Sequence, residues 1–313
     1  MSTPDGSAVL VNTVIERLTA SYIFPDRSAR AASLLQARLA DGAYDLPAGS
    51  VLCERLSADL FEACADKHLR LLWHDSVESS RDETELVDAL HETFRRENHG
   101  IHSVELLPGN VGLIALTIIP PAATGATKLA AMMQLVQDTD ALILDLRETR
   151  GGAPDGGAFL SSFFFPDGDV HLSDIIEGPN GPPRQYWTYA HLPAPRYLDR
   201  AVYVAVSATT FSAGEALAYE LQVLDRATIV GETTRGGAHP SEVVSIAEQI
   251  ELRLPVARSH NPITGTNWEA VGVQPDHYAP ATTAVTVAHR LALEASANND
   301  ETSESSRAAR RHL

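Results

Sequence analysis

Lysine is nearly missing from this chain: Lys67 and Lys128 are its only two, so almost all of the positive charge is arginine. A guanidinium keeps its proton far above neutral pH, which leaves two side chains at most for a lysine general base. Cysteine is as scarce. Cys53 and Cys64 fall with Leu56 and Leu60 on one stripe of a predicted helix, too far apart along it to bridge. They read as small core residues, and zinc held by cysteine is excluded. No apolar run reaches membrane-spanning length, and residues 1–18 lack the basic start and unbroken apolar stretch of a secretory signal. No membrane partner is expected, and the expected location is cytoplasmic.

Positive charge is also outweighed. With 24 Lys and Arg against 41 Asp and Glu, the net charge is −17, the wrong sign for a surface that neutralises phosphates. Arg307, Arg310 and Arg311 cluster in a polar tail that reads as solvated. Nucleic acid is not an expected partner.

What remains is the composition of a soluble globular protein, 44% hydrophobic and 21% charged over 313 residues, enough for a sizeable core in one large or two smaller domains. Leu10, Val14 and Leu18 repeat at helical spacing, then Ala31, Leu34, Leu35 and Leu39 up to a stop at Gly42, then residues 52–64. Residues 1–75 are therefore expected to form a three-helix N-terminal domain that ends in an extended run at His68. From there the pattern turns to α/β. Residues 104–107 and 111–117 flank a Pro108-Gly109-Asn110 turn and read as a hairpin. Residues 128–136 and 153–164 read as helices, and 141–146 and 201–206 as buried strands. The Pro-rich stretch 166–195, with Tyr186, Trp187 and Tyr189, reads as a long excursion of the kind that often covers a site. A helix over 284–293 closes the expected catalytic domain, residues 76–295, and 296–313 is polar enough to be expected disordered.

Ser212 stands where the strand 201–206 runs out through small polar residues into a helix. A hydroxyl at a helix N-terminus sits among free backbone N–H groups that can hold an anionic oxygen, so Ser212 is a candidate nucleophile. It is equally a good helix cap, and Glu215 three places on completes a capping box. Two glycine-rich turns follow buried strands, one ending in Gly151 and Gly152, the other running from Gly231 to Gly236 and Gly237. Glycine lets backbone N–H groups face an incoming group. An alcohol nucleophile needs a base near neutrality, and imidazole suits best. Among twelve histidines, His68 is distinguished only by context, opening the extended run after Asp66 and Lys67. The glycine spacing of an α/β-hydrolase nucleophile elbow is not met, because Thr210 stands two places before Ser212.

Five strings occur in one order: Asp66-Lys67-His68-Leu69-Arg70-Leu71; residues 145–152; Phe211-Ser212-Ala213-Gly214-Glu215; residues 231–237; and Trp268-Glu269-Ala270-Val271-Gly272-Val273-Gln274-Pro275-Asp276. In this they resemble the tail-specific (carboxyl-terminal processing) serine proteases, in the branch of tricorn protease and the interphotoreceptor retinoid-binding protein modules. Tyr22-Ile23-Phe24-Pro25 and Gly42-Ala43-Tyr44-Asp45 look like that branch's helical N-terminal region. The resemblance implies a ClpP/crotonase-like sheet-and-helix core, with Ser212 as nucleophile, His68 as base and Glu269 as the acid that orients it. It implies an oxyanion hole from the N–H of Ala213 and of Gly151 or Gly152, with Glu215 in support. The Ser-Lys branch carries lysine where this chain has Gly237, so a Ser-Lys pair is not expected. No cofactor or metal is expected. The expected partner is a peptide or related acyl substrate. Two further readings share the fold: a module binding an apolar ligand such as a retinoid or fatty acid, its pocket lined by Phe159 and Phe163, and an acyl-transferring or cyclising enzyme. Spaced i and i+4, Phe159 and Phe163 also read as ordinary core packing.

Overall fold

The computed structural model describes residues 4–75 and 92–299. Along the chain these contain α1 (Pro4–Ser21), α2 (Pro25–Ala40), α3 (Ser50–Cys64), β1 (Arg70–Trp73), β2 (Ile101–Leu107), β3 (Val111–Leu116), α4 (Ala122–Leu135), β4 (Ala141–Asp145) and α5 (Pro154–Ser161). There follow β5 (His171–Glu177), β6 (Pro183–Trp187), β7 (Ala201–Val206), α6 (Ala213–Val223), β8 (Thr228–Gly231), β9 (Ser241–Ala247), β10 (Ile250–Pro255), β11 (Ala257–His260), β12 (His277–Tyr278) and α7 (Ala284–Asn299). The elements divide between two compact units. The first takes in residues up to 75 with Asp174–Arg184 and His239–His260, the second residues 92–173, Gln185–Ala238 and 261–299.

The first unit is built on the three N-terminal helices. α2 opens on Pro25 with Asp26 in its first turn, where a missing N–H costs nothing and a carboxylate meets the positive helix end. Leu18 of α1, Leu35 of α2 and Leu52, Leu56 and Leu60 of α3 share a core with Leu71, Ile250, Leu252 and Leu254. The last four lie on an antiparallel sheet of order β1-β10-β9, in which Arg70 stands opposite Arg253 and Leu71 opposite Leu252. Cys53 and Cys64 are both buried and free on α3. The end of β5 pairs antiparallel with β11, Glu177 opposite Ala257.

The second unit is a six-stranded sheet of order β12-β8-β7-β4-β3-β2, parallel from β3 through β12 with β2 antiparallel at one edge. Because strand order follows chain order from β3 to β12, right-handed crossovers put the intervening helices on one face. Leu142, Leu144, Val202, Val204 and Val206 pack there against α4, α5 and α6. The alternate residues Ala141, Ile143, Tyr203 and Ala205 face the other way, under Ala284, Ala288 and Ala292 of α7. Burial on both faces is why these strands read as continuous apolar runs rather than alternating ones.

The expected hairpin is present as β2 and β3, and the expected strands at 141–146 and 201–206 as β4 and β7. Three expectations change. Residues 166–195 hold the strands β5 and β6, whose polar residues and flanking prolines hide the two-residue alternation. Phe163 and Phe164 continue α5 as a single 3-10 turn. α7 runs on to Asn299, while residues 300–313, where disorder is expected, lie outside the described residues. Among the described residues no helix is long and apolar enough to cross a membrane.

Candidate active site

Parallel β4 and β7 end at the same edge of the sheet, where ligand sites of parallel α/β sheets gather. The loops that follow them are stitched together. Leu146 N–H donates to Ala205 O at 2.8 Å, Ser207 Oγ to Arg147 O at 2.7 Å, Thr210 Oγ1 to Leu146 O at 2.9 Å, and Phe211 N–H to Thr149 O at 3.0 Å. The β4 loop is fixed in turn by Arg147, whose guanidinium forks onto Asp145 at 2.8 and 2.7 Å and donates to Ala281 O at 2.6 Å.

Ser212 closes this framework at the N-terminus of α6. Its backbone stands at φ 55°, ψ −119°, a region that a residue bearing a Cβ enters at a cost of about 1–3 kcal/mol and keeps only when its surroundings impose it. Here they do, through the Phe211 bond on one side and the Ser212 N–H on Glu215 Oε2 at 2.8 Å on the other. Such a sharp, strained strand-to-helix turn is the device that exposes a nucleophilic serine in α/β-hydrolases, reached here with Gly214 two places after the serine but Thr210 in place of the glycine before it. The sequence offered no sign of it.

Gly151 lies against this serine: a Cβ added there would stand 3.2 Å from Ser212 Cβ and 3.6 Å from its Oγ, at φ +130°. Gly152, at φ +139°, runs so close to β3's exit that a Cβ would come within 2.1 Å of Ile119 O. Ile119 N–H donates to Gly151 O and Ala153 N–H to Ile119 O, each at 2.9 Å. Among the described residues the N–H groups of Gly151, Gly152 and Ala213 have no acceptor. Among them are the oxyanion donors that the sequence resemblance implies, the N–H of Ala213 and that of Gly151 or Gly152.

Glu215 is fully buried and accepts four hydrogen bonds. Besides Ser212 N–H, they come from Thr234 Oγ1 at 2.5 Å, Gly236 N–H at 2.5 Å and Gly237 N–H at 2.9 Å. Burial raises its pKa and the four donors pull it back only in part. Glu215 thus ties the serine's turn to the 234–238 loop. Glu269 is bound to the same loop, Oε2 accepting Ala238 N–H at 2.5 Å, with Trp268 Nε1 donating to Gly237 O at 2.9 Å and Ala270 N–H to Gly236 O at 3.1 Å. Ser212, Gly151, Gly152, Ala213, Glu215 and Glu269 therefore belong to one hydrogen-bonded framework in the second unit.

Phe159 and Phe163 lie in that unit's core, 5% and 0% exposed and packed edge to face at 5.6 Å. Both belong to the core cluster on the α4–α6 face of the sheet, in line with the core-packing reading of their spacing.

His68 lies in the first unit, buried where the chain leaves α3 for β1. Ala65 ends the helix in the left-handed conformation, and Asp66 then accepts His68 N–H on Oδ1 at 3.0 Å, a local Asx-type turn. Burial pushes the His68 pKa down to about 4; Asp66 acts upward, and His239, Arg70 and Arg253 add to the fall. The imidazole is neutral at physiological pH, the state a general base requires. Sequence reasoning assigned nothing to Asp66 or His239. Asp66 Oδ2 accepts Tyr22 O–H at 3.0 Å and is 2.7 Å from His239 Nδ1, and the ring of Phe24 packs on His239 at 5.0 Å. The available signals lay in the Asp66-Lys67-His68 string and in the Tyr22-Ile23-Phe24-Pro25 string, whose two aromatics now have their partners.

The sequence pattern of peptidase family S41 matches residues 110–279, more than half of the chain. The chain belongs to that family. It is similar to carboxyl-terminal-processing peptidase 2, chloroplastic, of Arabidopsis thaliana, 29% identical over 199 residues, which are 60% of this chain and 37% of that one. The S41 chain thus spans well under half the length of this curated relative. In fold it is similar to a putative peptidase of Parabacteroides merdae, with a TM-score of 0.60, 17% identity and 90% of each chain covered. Tricorn protease aligns with a TM-score of 0.57 at 9% identity, over 89% of this chain and 35% of its own.

Proposed function

We propose that this S41 chain is a serine peptidase that cuts peptide or related acyl bonds through an acyl-enzyme on Ser212. The observation that carries the reading is the strained backbone of Ser212 at the start of α6, set among the acceptor-free N–H groups of Gly151, Gly152 and Ala213. Strain of this kind is kept where it serves a site, and a helix N-terminus with free donors is suited to an oxyanion.

In this mechanism His68 takes the hydroxyl proton as Ser212 Oγ bonds to the substrate carbonyl carbon. The carbonyl π pair moves to the oxygen, where the N–H of Ala213 and that of Gly151 or Gly152 receive it. Collapse re-forms the carbonyl and breaks the bond to the leaving amine, which takes the proton from His68. Water then attacks the acyl-enzyme by the same sequence, releasing the acid and restoring Ser212. Glu269 serves as the carboxylate that orients the imidazole and favours the imidazolium. The names of the relatives carry carboxyl-terminal processing; what we carry to this chain is the peptidase chemistry.

The test is covalent labelling by a fluorophosphonate, read by intact mass and peptide mapping. One adduct on Ser212 is expected, absent from Ser212→Ala and slowed by about 10³-fold or more in His68→Ala, with the double variant no slower than the worse single one. A folded wild-type protein that forms no adduct on Ser212 would overturn the proposal.

A further inference from the structure

The mechanism leaves one buried cluster of ionisable side chains unused: Asp66, His239 and Tyr22, all in the first unit. Asp66 is 0%, His239 3% and Tyr22 3% exposed. A carboxylate so placed is stable only if its oxygens are satisfied, and both are. Oδ1 takes the backbone N–H of His68 at 3.0 Å, while Oδ2 takes Tyr22 O–H at 3.0 Å and faces His239 Nδ1 at 2.7 Å.

We infer that Asp66 is the positioning residue of His68: its carboxylate fixes the backbone from which the imidazole projects and supplies the buried negative charge that favours the imidazolium, with Tyr22 and His239 holding it in place. The inference rests on the proposed role of His68 as base.

Three observations carry it. The bond from His68 N–H closes a turn of two residues, so a shift of Asp66 moves the His68 Cα directly. The other end of the carboxylate is not free to shift, because its partners come from distant parts of the chain: Tyr22 from the end of α1 and His239 from the approach to β9. Both partners are themselves braced. Ile23 N–H donates to Pro255 O at 3.1 Å next to Tyr22, and Phe24, with Arg27 over its ring at 4.5 Å, packs on His239. Charge adds to geometry. Burial would raise the Asp66 pKa, yet the hydrogen bonds of His239, Tyr22 and His68 hold it below the usual carboxylate range, so the group facing His68 is an anion. Of the charged groups that act on His68, Arg70 and Arg253 as well as His239 oppose its protonation and Asp66 favours it.

The role differs from that of a structural carboxylate in what it does to rate. Proton transfer from Ser212 makes His68 cationic, and an anion held at fixed distance stabilises that state more than the neutral one. A carboxamide in the same place keeps an oxygen for the His68 N–H and loses the charge.

The test is saturation kinetics of fluorophosphonate labelling at pH 8, where His68 is neutral in every variant, together with thermal denaturation. For Asp66→Asn the maximal labelling rate is expected to fall by about 10-fold or more, one pKa unit of lost imidazolium stabilisation, with the half-saturating probe concentration within about twofold of wild type. Tyr22→Phe, which removes one of the hydrogen bonds to Asp66, is expected to fall by a smaller factor in the same parameter. If Asp66→Asn does not fold, Tyr22→Phe and His239→Gln carry the test by the same split. Variants that label at the wild-type maximal rate, while His68→Ala is inert, would overturn the inference and leave the base assignment standing. A His68→Ala protein that labels like wild type would instead overturn the reading beneath it.

Discussion

The buried carboxylate of Glu215 receives the backbone N–H of Ser212 at 2.8 Å. One turn into α6, this acid does what a helix cap partner does, and through Thr234, Gly236 and Gly237 it does more: it couples the backbone of the serine to the loop on which Glu269 rests. The cap and nucleophile readings of Ser212 are thus compatible, since the cap's partner is what holds the serine in its strained conformation.

Glu215→Ala should therefore cost stability and reactivity together. Four donors lose their acceptor in a buried site, a loss on the order of 3 kcal/mol or more. Glu215→Gln, which turns an amide N–H₂ toward some of those donors, should cost about half as much. Urea denaturation measures both, and a Glu215→Ala protein as stable as wild type would contradict the hydrogen-bond network described.

The two glycines should separate by substitution. At Gly152 a Cβ would collide with Ile119 O, and backbone cannot yield cheaply, so Gly152→Ala is expected to lower the melting temperature by several degrees. At Gly151 the nearest contact is 3.2 Å and involves Ser212 itself. Gly151→Ala should slow fluorophosphonate labelling well beyond any change in stability. Differential scanning fluorimetry alongside labelling rates distinguishes the two.

Glu220 lies on the far side of α6 from solvent, with Ser173 Oγ at 2.7 Å and Ser161 Oγ at 3.4 Å as its partners. Burial pushes its pKa up from 4.5 to about 7. The folded state therefore binds the proton more tightly than the unfolded one. The associated stability is fully present below pH 4.5 and is lost as pH rises to about 7, a change of roughly 3 kcal/mol. Glu220→Gln should remove this dependence, gaining on the wild type between pH 5 and pH 8. Parallel pH dependences in denaturation series of the two proteins would rule it out.

For His68 the sign is opposite. Its pKa is lowered from 6.5 to about 4, so the neutral imidazole persists well below its ordinary range. The labelling rate should have its acid limb near pH 4 instead of 6.5. A half-maximal rate near pH 6.5 would show that His68 is not the titrating base.

Much of this architecture could be read from the chain because its signals are local. β4 and β7 are unbroken apolar runs, the hairpin turn is Pro108-Gly109-Asn110, and Ser212 with Glu215 is a capping box in three residues. What could not be read depends on distance or on backbone angle. His239 meets Asp66 across 173 positions, and nothing near either residue announces the other. The φ of Ser212 follows from bonds to Thr149 and Glu215, so no residue preference at position 212 could reveal it. β9 and β10 were open to reading, since Val244 and Ile246, then Ile250, Leu252 and Leu254, alternate with polar residues as half-buried strands do.

The pairing of β1 with β10 sets a condition on how this protein is made. Leu71 waits for Leu252, so while the chain is being synthesised the strand that follows His68 packs on α3 but has no strand partner among the described residues until residue 250 has left the ribosome. Closing so long a loop is slow and entropically costly. A nascent or truncated chain that stops short of residue 250 leaves that strand's edge unpaired, so the stretch that carries His68 is completed only by a segment of the chain almost two hundred residues further on.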